Sequence, residues 1–314
     1  MADNKRKLHY YPGCTLKEKT THLDVSTYAA MEILGYELIE PENWTCCGAE
    51  YPLNEEMIMG LTAPVRILRQ VEIEGGDKVF TVCSFCFNVL KRANEAIKSD
   101  PLKNKRINAF LKDDIHIDRD SGEKTTDFKQ YNGDVNVLHL LEFIRDWVGY
   151  EKIRSLIKRD LSGIKVVPYY GCRLLRPKGR TAIDEPDDPS IFEEFLENIG
   201  CEVIDFPFKQ ECCGSYLSLS MPDAASEASY NILRSAKLSG AGMLALSCPL
   251  CYYNLDTRQD RIRENFADSP EIPVLFFTQL LAWALGVDEE VLGLDQHYCN
   301  PRAALGIDKS EVKK

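Results

Sequence analysis

Short apolar runs alternate along this chain with longer stretches whose apolar positions recur at helical spacing. Residues 8–11 read as a strand that runs into a Gly-Cys turn, and residues 165–170 do the same in the second half. After the first turn Val25, Tyr28, Met31, Ile33 and Leu34 fall at roughly helical intervals; after the second, Ile191, Phe192, Phe195, Leu196 and Ile199 do so. Gly35 and Gly200 stand where a helix C-cap belongs, ahead of second strands over 37–39 and 202–204. A third pair of strands, 78–82 and 243–246, ends directly at a Cys-x-x-Cys that opens a further helix. Both halves close alike, VNVLHLLEFIRDWVG (135–149) answering IPVLFFTQLLAWALG (272–286). This alternation predicts an α/β protein of two pseudo-symmetric lobes, 1–150 and 151–314. Each is a small, mostly parallel sheet with flanking helices and its chemistry at the carboxyl ends of strands.

The repeat is carried by cysteines. Ten of the twelve fall into two copies of one pattern. The first is Cys14, 31 residues, Cys46-Cys47, 35 residues, then Cys83-x-x-Cys86. The second is Cys172, 39 residues, Cys212-Cys213, 34 residues, then Cys248-x-x-Cys251. Tyr10-Tyr11-Pro12-Gly13-Cys14 answers Pro168-Tyr169-Tyr170-Gly171-Cys172, and EILGYELIE (32–40) answers ENIGCEVID (197–205) at a constant offset of 165. The lobes differ in their insertions. Residues 99–133, with DRDSGEK at their centre, and residues 177–189, with DEPDDP, are expected to be solvated surface loops.

Composition narrows the function classes. With 44% apolar and 28% charged residues the chain can bury a sizeable core. A net charge of −11 leaves no basic excess for phosphates, which speaks against nucleic-acid or anionic-membrane binding. No apolar run approaches the ~18 residues of a membrane span, and the N-terminal segment has no apolar core of a signal peptide, so a cytoplasmic protein is expected. In a reducing compartment, grouped cysteines hold metal or do redox chemistry more often than they pair.

A Cys-x-x-Cys alone fits zinc, a redox dithiol and a cluster alike. A four-cysteine zinc site built from the two such pairs leaves the CC pairs and the lone cysteines unused. The repeat makes the unit five cysteines per lobe, one more than tetrahedral zinc or an ordinary cubane uses. Adjacent side chains diverge, so a CC pair suits a larger cluster with several irons, and the usual ferredoxin spacing is absent. Iron–sulfur ligation is the expectation, with zinc and thiol–disulfide chemistry as alternatives.

From Tyr10 to the QHYCNP segment around Cys299 the chain resembles the B-type subunit of heterodisulfide reductase, whose duplicated CCG domain has the same cysteine order. The resemblance implies that Cys14, Cys46, Cys47, Cys83 and Cys86 hold one noncubane 4Fe-4S cluster. It implies likewise that Cys172, Cys212, Cys213, Cys248 and Cys251 hold a second. It implies further a catalytic subunit that reduces, or forms, a disulfide bound between the two clusters by one-electron steps. The disulfide would be a small-molecule or carrier-bound one, and the partners a ferredoxin-like iron–sulfur subunit and a flavin-containing subunit of the same complex. The chain itself has no G-x-G-x-x-G fingerprint, Gly240-Ala241-Gly242 lacking the continuation, so electrons would arrive from elsewhere. Two departures stand out. The 34-residue spacing is one residue shorter than the family pattern, and the first pair continues as CCGAEYP, where methanogen enzymes tend to have CCP. That is closer to bacterial relatives with varied acceptors. The alternative reading is an electron-transfer subunit that serves a quinone or another carrier and binds no disulfide.

Residues outside the repeat are expected to be structural. His139 is matched by Phe276 and Cys201 by Tyr36 in the other lobe, whereas a ligand of a duplicated site should recur. Cys299 has no first-lobe copy and is also read as structural. His9 and the two Tyr pairs lie near the cysteine turns and are read as strand-end core residues.

Overall fold

The computed structural model describes residues 5–49, 58–112 and 129–307, with the backbone of 116–117 and 124–125. The first lobe runs β1 (Arg6–Tyr10), α1 (Cys14–Glu18), α2 (Thr21–Ile33), β2 (Tyr36–Ile39), α3 (Met59–Ile73), β3 (Lys78–Thr81), α4 (Ser84–Ser99) and α5 (Pro101–Leu111). A short antiparallel pair, β4 (His116–Ile117) and β5 (Lys124–Thr125), precedes β6 (Asn136–His139) and α6 (Leu140–Phe143), which a π-helical turn extends. After α7 (Tyr150–Leu156), the second lobe runs β7 (Lys165–Tyr169), α8 (Ile191–Asn198), β8 (Glu202–Val203), α9 (Pro222–Leu238), β9 (Met243–Leu246) and α10 (Pro249–Tyr252). It closes with α11 (Gln259–Asn265), β10 (Val274–Phe276) and α12 (Phe277–Ala284).

Each lobe is built on a four-stranded, wholly parallel sheet. The orders are β2-β1-β3-β6 and β8-β7-β9-β10, the same topology twice. Arg6 pairs with Tyr36 and Lys165 with Glu202; His9 pairs with Val79 and Val166 with Met243. The first strand of each lobe lies between its second and third, so successive crossovers leave it in opposite directions. The crevice at its carboxyl end is then a topological switch point, where open α/β sheets take ligands. The Gly-Cys turn follows β1 and β7 there, and the Cys-x-x-Cys follows β3 and β9.

The lobes exchange helix contacts about a pseudo-two-fold axis. α2 of the first lobe packs on α12 of the second, and α8 of the second packs on α6 of the first. Ser26 and Thr278 share a buried hydroxyl hydrogen bond of 2.7 Å in the first of these contacts. Buried side chains such as Phe80, Phe143, Phe192 and Phe277 line both sheets. Each contributes roughly 1.5–3 kcal/mol by leaving water, more than a half-exposed ion pair such as Lys5–Glu32 supplies.

The first insertion corrects the expectation of a loop. Residues 101–111 form α5 because Asp100 caps it, accepting from the amides of Leu102 and Lys103 at 3.0 Å, and Pro101 occupies its first turn. Ile107, Asn108 and Leu111 are buried on its inner side. The central DRDSGEK lies outside the described residues except for the backbone of Lys124. The second insertion is irregular but held: Thr181 and Ile183 are buried. Asn88 of α4, in the other lobe, donates to the carbonyls of Arg173 (2.8 Å) and Arg176 (2.7 Å) at its entrance.

Candidate metal centre

Sulfur follows sulfur from one lobe into the other. Cys14 and Cys46 stand 3.6 Å apart, Cys47 and Cys86 3.7 Å, and Cys213 and Cys251 3.5 Å. Cys46 adjoins Cys47 and Cys86 adjoins Cys83. Cys83 meets Cys248 across the pseudo-two-fold axis, and Cys248 adjoins Cys251. Eight thiols therefore form one continuous string, and Cys172 pairs with Cys212 beside it. Ser84 and Ser247, next to the two facing cysteines, hydrogen-bond across the same boundary. All twelve cysteines are free, and these separations are van der Waals contacts rather than disulfide bonds.

Local structure explains how each thiol is aimed. Gly13 and Gly171, both at positive φ (+79° and +63°), turn the chain sharply off β1 and β7 and leave room for the sulfurs of Cys86 and Cys251. Cys83 caps α4, its sulfur accepting from the Cys86 amide at 3.5 Å, and Cys248 occupies the same position on α10. The positive end of a helix favours thiolates there. The CC loops are tied to the first strands by tyrosine. Tyr11 donates to the carbonyl of Thr45 at 2.8 Å, and Tyr169 donates to that of Glu211 at 2.6 Å; each acceptor immediately precedes a CC pair. Burial first, then the neighbouring thiols, holds both phenols protonated. The tyrosines expected as strand-end core residues thus also position the site.

Each quintet has a buried floor and an open rim. Cys47, Cys83 and Cys86 are buried while Cys14 and Cys46 are exposed; Cys213, Cys248 and Cys251 are buried while Cys172 is half-buried and Cys212 exposed. Hydrogen bonds, led by that from Cys46, hold Cys47 well below the usual thiol range. Cys251 first, then Cys83, does the same for Cys248, and Cys172 draws Cys212 down to about 6. Their hydrogen-bonding partners Cys46, Cys83, Cys86, Cys172 and Cys251 are raised in turn by those bonds and by burial, so the thiols share protons along the string; soft sulfur donors suit iron–sulfur chemistry. Among the described residues no group of three or more His, Cys, Asp or Glu is placed to hold a single metal ion, whereas thiols strung over several ångströms in each lobe fit a multi-iron group.

The Cysteine-rich domain family, CCG, matches residues 8–91 and 166–256, both halves of the sulfur string. The chain belongs to the CCG cysteine-rich domain family. Among curated CCG relatives, it is 29% identical to the 8-methylmenaquinol:fumarate reductase membrane anchor subunit of Wolinella succinogenes, covering 93% of this chain and 97% of that protein. It is 28% identical to the B-type subunit of the ferredoxin/F(420)H(2)-dependent CoB-CoM heterodisulfide reductase of Methanosarcina acetivorans, covering 93% of each. A protein of Archaeoglobus profundus, named for its likeness to the heterodisulfide reductase B-type subunit, is 26% identical over 92% of this chain and 94% of that protein. Of solved structures, a hypothetical protein from Helicobacter pylori shares the fold, with a TM-score of 0.71 at 15% identity; it aligns with 94% of this CCG chain, which spans about half, 52%, of its length. No helix among the described residues is long and apolar enough to cross a membrane.

Outside the quintets, His139 is a capping core residue of this CCG chain. Its ring is fully buried, Nε2 lies 3.2 Å from the Val82 carbonyl, and Nδ1 accepts from the Leu141 amide at 3.3 Å. Burial lowers its pKa to about 3, so the ring is neutral. Phe276 begins α12 at the equivalent place with no such polar cap. Cys201 and Cys299 are buried away from the string, and burial pushes their thiols up to about 12 and about 11. His9 pairs with Glu74 at 3.0 Å. Sequence reasoning missed Arg173 and Tyr216 beside the second quintet; the available signal was a cation directly after Cys172, where the first lobe has Thr15.

Proposed function

We propose that the chain is the cluster-bearing catalytic subunit of a heterodisulfide reductase-like complex, interconverting a disulfide and two thiols. Cys14, Cys46, Cys47, Cys83 and Cys86 would hold one noncubane 4Fe-4S cluster, and Cys172, Cys212, Cys213, Cys248 and Cys251 the other. When bound, the pair of clusters supplies the two electrons that a disulfide needs, one at a time; two protons complete the two thiols. The observation that carries this reading is the meeting of Cys83 and Cys248 across the pseudo-two-fold axis, which brings the two equivalent quintets into contact. A simple electron relay requires clusters within tunnelling distance but not two identical shells facing one another.

The chain's own residues would shape that reaction. Gly13 and Gly171 let the sulfur cradle close, and Tyr11 and Tyr169 fix the CC loops. The open rims at Cys14, Cys46 and Cys212 leave a path for substrate, while the buried floors exclude water. A ferredoxin-like subunit and a flavin-containing subunit are the proposed electron partners, in a cytoplasmic complex.

A second reading is favoured by the relative named as a menaquinol:fumarate reductase subunit: electron transfer between a quinone and a partner subunit. Single-lobe variants separate the two. Cys46→Ala and Cys212→Ala should each abolish disulfide reduction while the untouched lobe's cluster remains reducible by an artificial one-electron donor. Near-parental disulfide turnover by either variant would overturn the two-cluster mechanism, and oxidation of the reduced protein by a menaquinone analogue but by no disulfide would overturn the disulfide reading in favour of the relay.

A further inference from the structure

Arg173 follows Cys172 and faces the second quintet. With Cys172, Cys213, Cys248 and Cys251 it lines a small cavity of about 10 Å³ to which no first-lobe cysteine contributes. The space admits about one water, so little solvent screens the charge from those sulfurs. Its Nε and Nη2 both donate to the Tyr216 hydroxyl, at 3.0 and 2.6 Å, and the guanidinium lies 5.5 Å from the centre of the Phe85 ring of the other lobe. After the hydrogen bond that Cys172 and Cys212 share, and after burial, the Arg173 charge favours the thiolate in each. It does not figure among the leading influences on Cys46, Cys47, Cys83 or Cys86. The symmetry-related place in the first lobe carries no cation: Thr15 stands for Arg173, and Leu250 of the second Cys-x-x-Cys stands for Phe85. Lys17, in the helix that opens at Cys14, is held by Asp24 at 2.8 Å and by Glu40. Arg173 donates to a neutral phenol, and among the described residues no carboxylate pairs with it.

We propose that Arg173 makes the two proposed clusters unequal, holding the one in the second-lobe quintet at the higher reduction potential, so that the first electron to enter the chain rests in the second lobe. A fixed positive charge stabilises the more negative, reduced state of a group ligated by the adjacent thiolates, and most strongly where water is excluded. The step is transfer of one electron from an external reductant, with no bond made or broken. Arg173 ligates no metal in this reading and acts only through its charge. The inference rests on the iron–sulfur reading of the quintets and is the same whether a disulfide or a quinone is the partner in electron exchange.

The test is a redox titration with dithionite of anaerobically prepared, cluster-loaded full-length chain, followed by EPR, with iron measured on each sample. Two one-electron steps are expected. Repulsion between adjoining quintets would separate the steps even in a symmetric pair, so the variants decide. Arg173→Gln should weaken the upper step at least about ten-fold, about 59 mV for one electron, and move the lower step less. Arg173→Lys should keep most of the separation, since the charge remains. Arg173→Leu repeats the comparison should the amide lower the iron content. In the Cys212→Ala background, where the first-lobe cluster remains, Arg173→Gln should shift the remaining signal little. An unmoved upper step, an equal fall of both steps, an equal loss in Arg173→Lys, or a full shift in the Cys212→Ala background overturns the proposal; about eight irons per chain in the same samples leave the iron–sulfur reading standing. A parent that holds zinc and no iron refutes that reading and the proposal together.

Discussion

The sulfur of Cys86 lies against the α-carbon of Gly13, so that a Cβ there would stand 2.8 Å from it, at a backbone φ of +79°. The relationship recurs at Gly171 and Cys251, with 3.3 Å and φ +63°. Two independent penalties then fall on any side chain at Gly13: an extended positive-φ backbone (ψ 162°) that is essentially restricted to glycine, of order 1–3 kcal/mol, and displacement of a proposed cluster ligand. Gly13→Ala should lose the first-lobe cluster, about half of the iron, on anaerobic reconstitution. Gly171→Ala, with the looser contact, should retain more of its own. Iron per chain measures both.

Five thiols in each lobe and no tetrahedral single-ion site among the described residues set the expected metal content. Protein purified without oxygen should contain about eight irons and eight sulfides per chain. Stoichiometric zinc with negligible sulfide would sink the iron–sulfur assignment. Chelation of the iron should leave the sheets folded, because each also buries large apolar side chains that are not proposed ligands, such as Phe80, Phe143, Phe192 and Phe277.

His139 links the Val82 carbonyl, one residue before Cys83, to the start of α6. Since Phe276 stands at the same place in the other lobe, His139→Phe should keep both clusters. Leaving the Val82 carbonyl and the Leu141 amide without their partner should cost about 1–3 kcal/mol in an anaerobic denaturant titration. Loss of one cluster's EPR signal would show a ligand role instead.

Asp256 carries a pH dependence of its own. Its Oδ2 accepts from the Tyr298 amide at 2.8 Å, while Oδ1 has no hydrogen-bond partner and lies 4.0 Å from His297 Nδ1, which has none either. Burial pushes the carboxyl up to about 7. A raised folded pKa means that this group's contribution is most favourable below the unfolded value near 3.9 and is lost as pH rises to about 7. The facing His297 and His22 act oppositely: burial lowers them to about 3 and about 4, so their contribution is full above about 6.5 and falls away in acid. Asp256→Asn removes only the first effect. Its stability relative to the parent should grow from pH 4 to pH 7, by about a few kcal/mol, and stay flat above, as anaerobic denaturant titrations at pH 5 and pH 8 would measure. No difference between those two pH values would mean that Asp256 stays ionised in the fold.

Much of this protein is written locally. The two copies of the cysteine pattern, the helical spacing of Ile191, Phe192, Phe195 and Leu196, and the glycines at 35 and 200 predict elements within a residue or two of their places, because each depends on neighbours along the chain. Periodicity misses the helix over 101–111 although Asp100-Pro101 signals its start; its charged residues mask the few apolar positions that bury it. Tertiary structure alone decided that Cys83 meets Cys248, that Asn88 grips the loop after Arg173, and that α2 crosses to α12. It also decided that Arg173, a surface residue by type, stacks in the crevice on a ring from the opposite lobe. Periodicity records which face of an element is buried, not what that face is buried against. Contacts such as Asn88 with Arg173, 85 positions apart, or Ser26 with Thr278, 252 apart, exist only once two separately folded sheets bury their remaining apolar faces on each other about one axis.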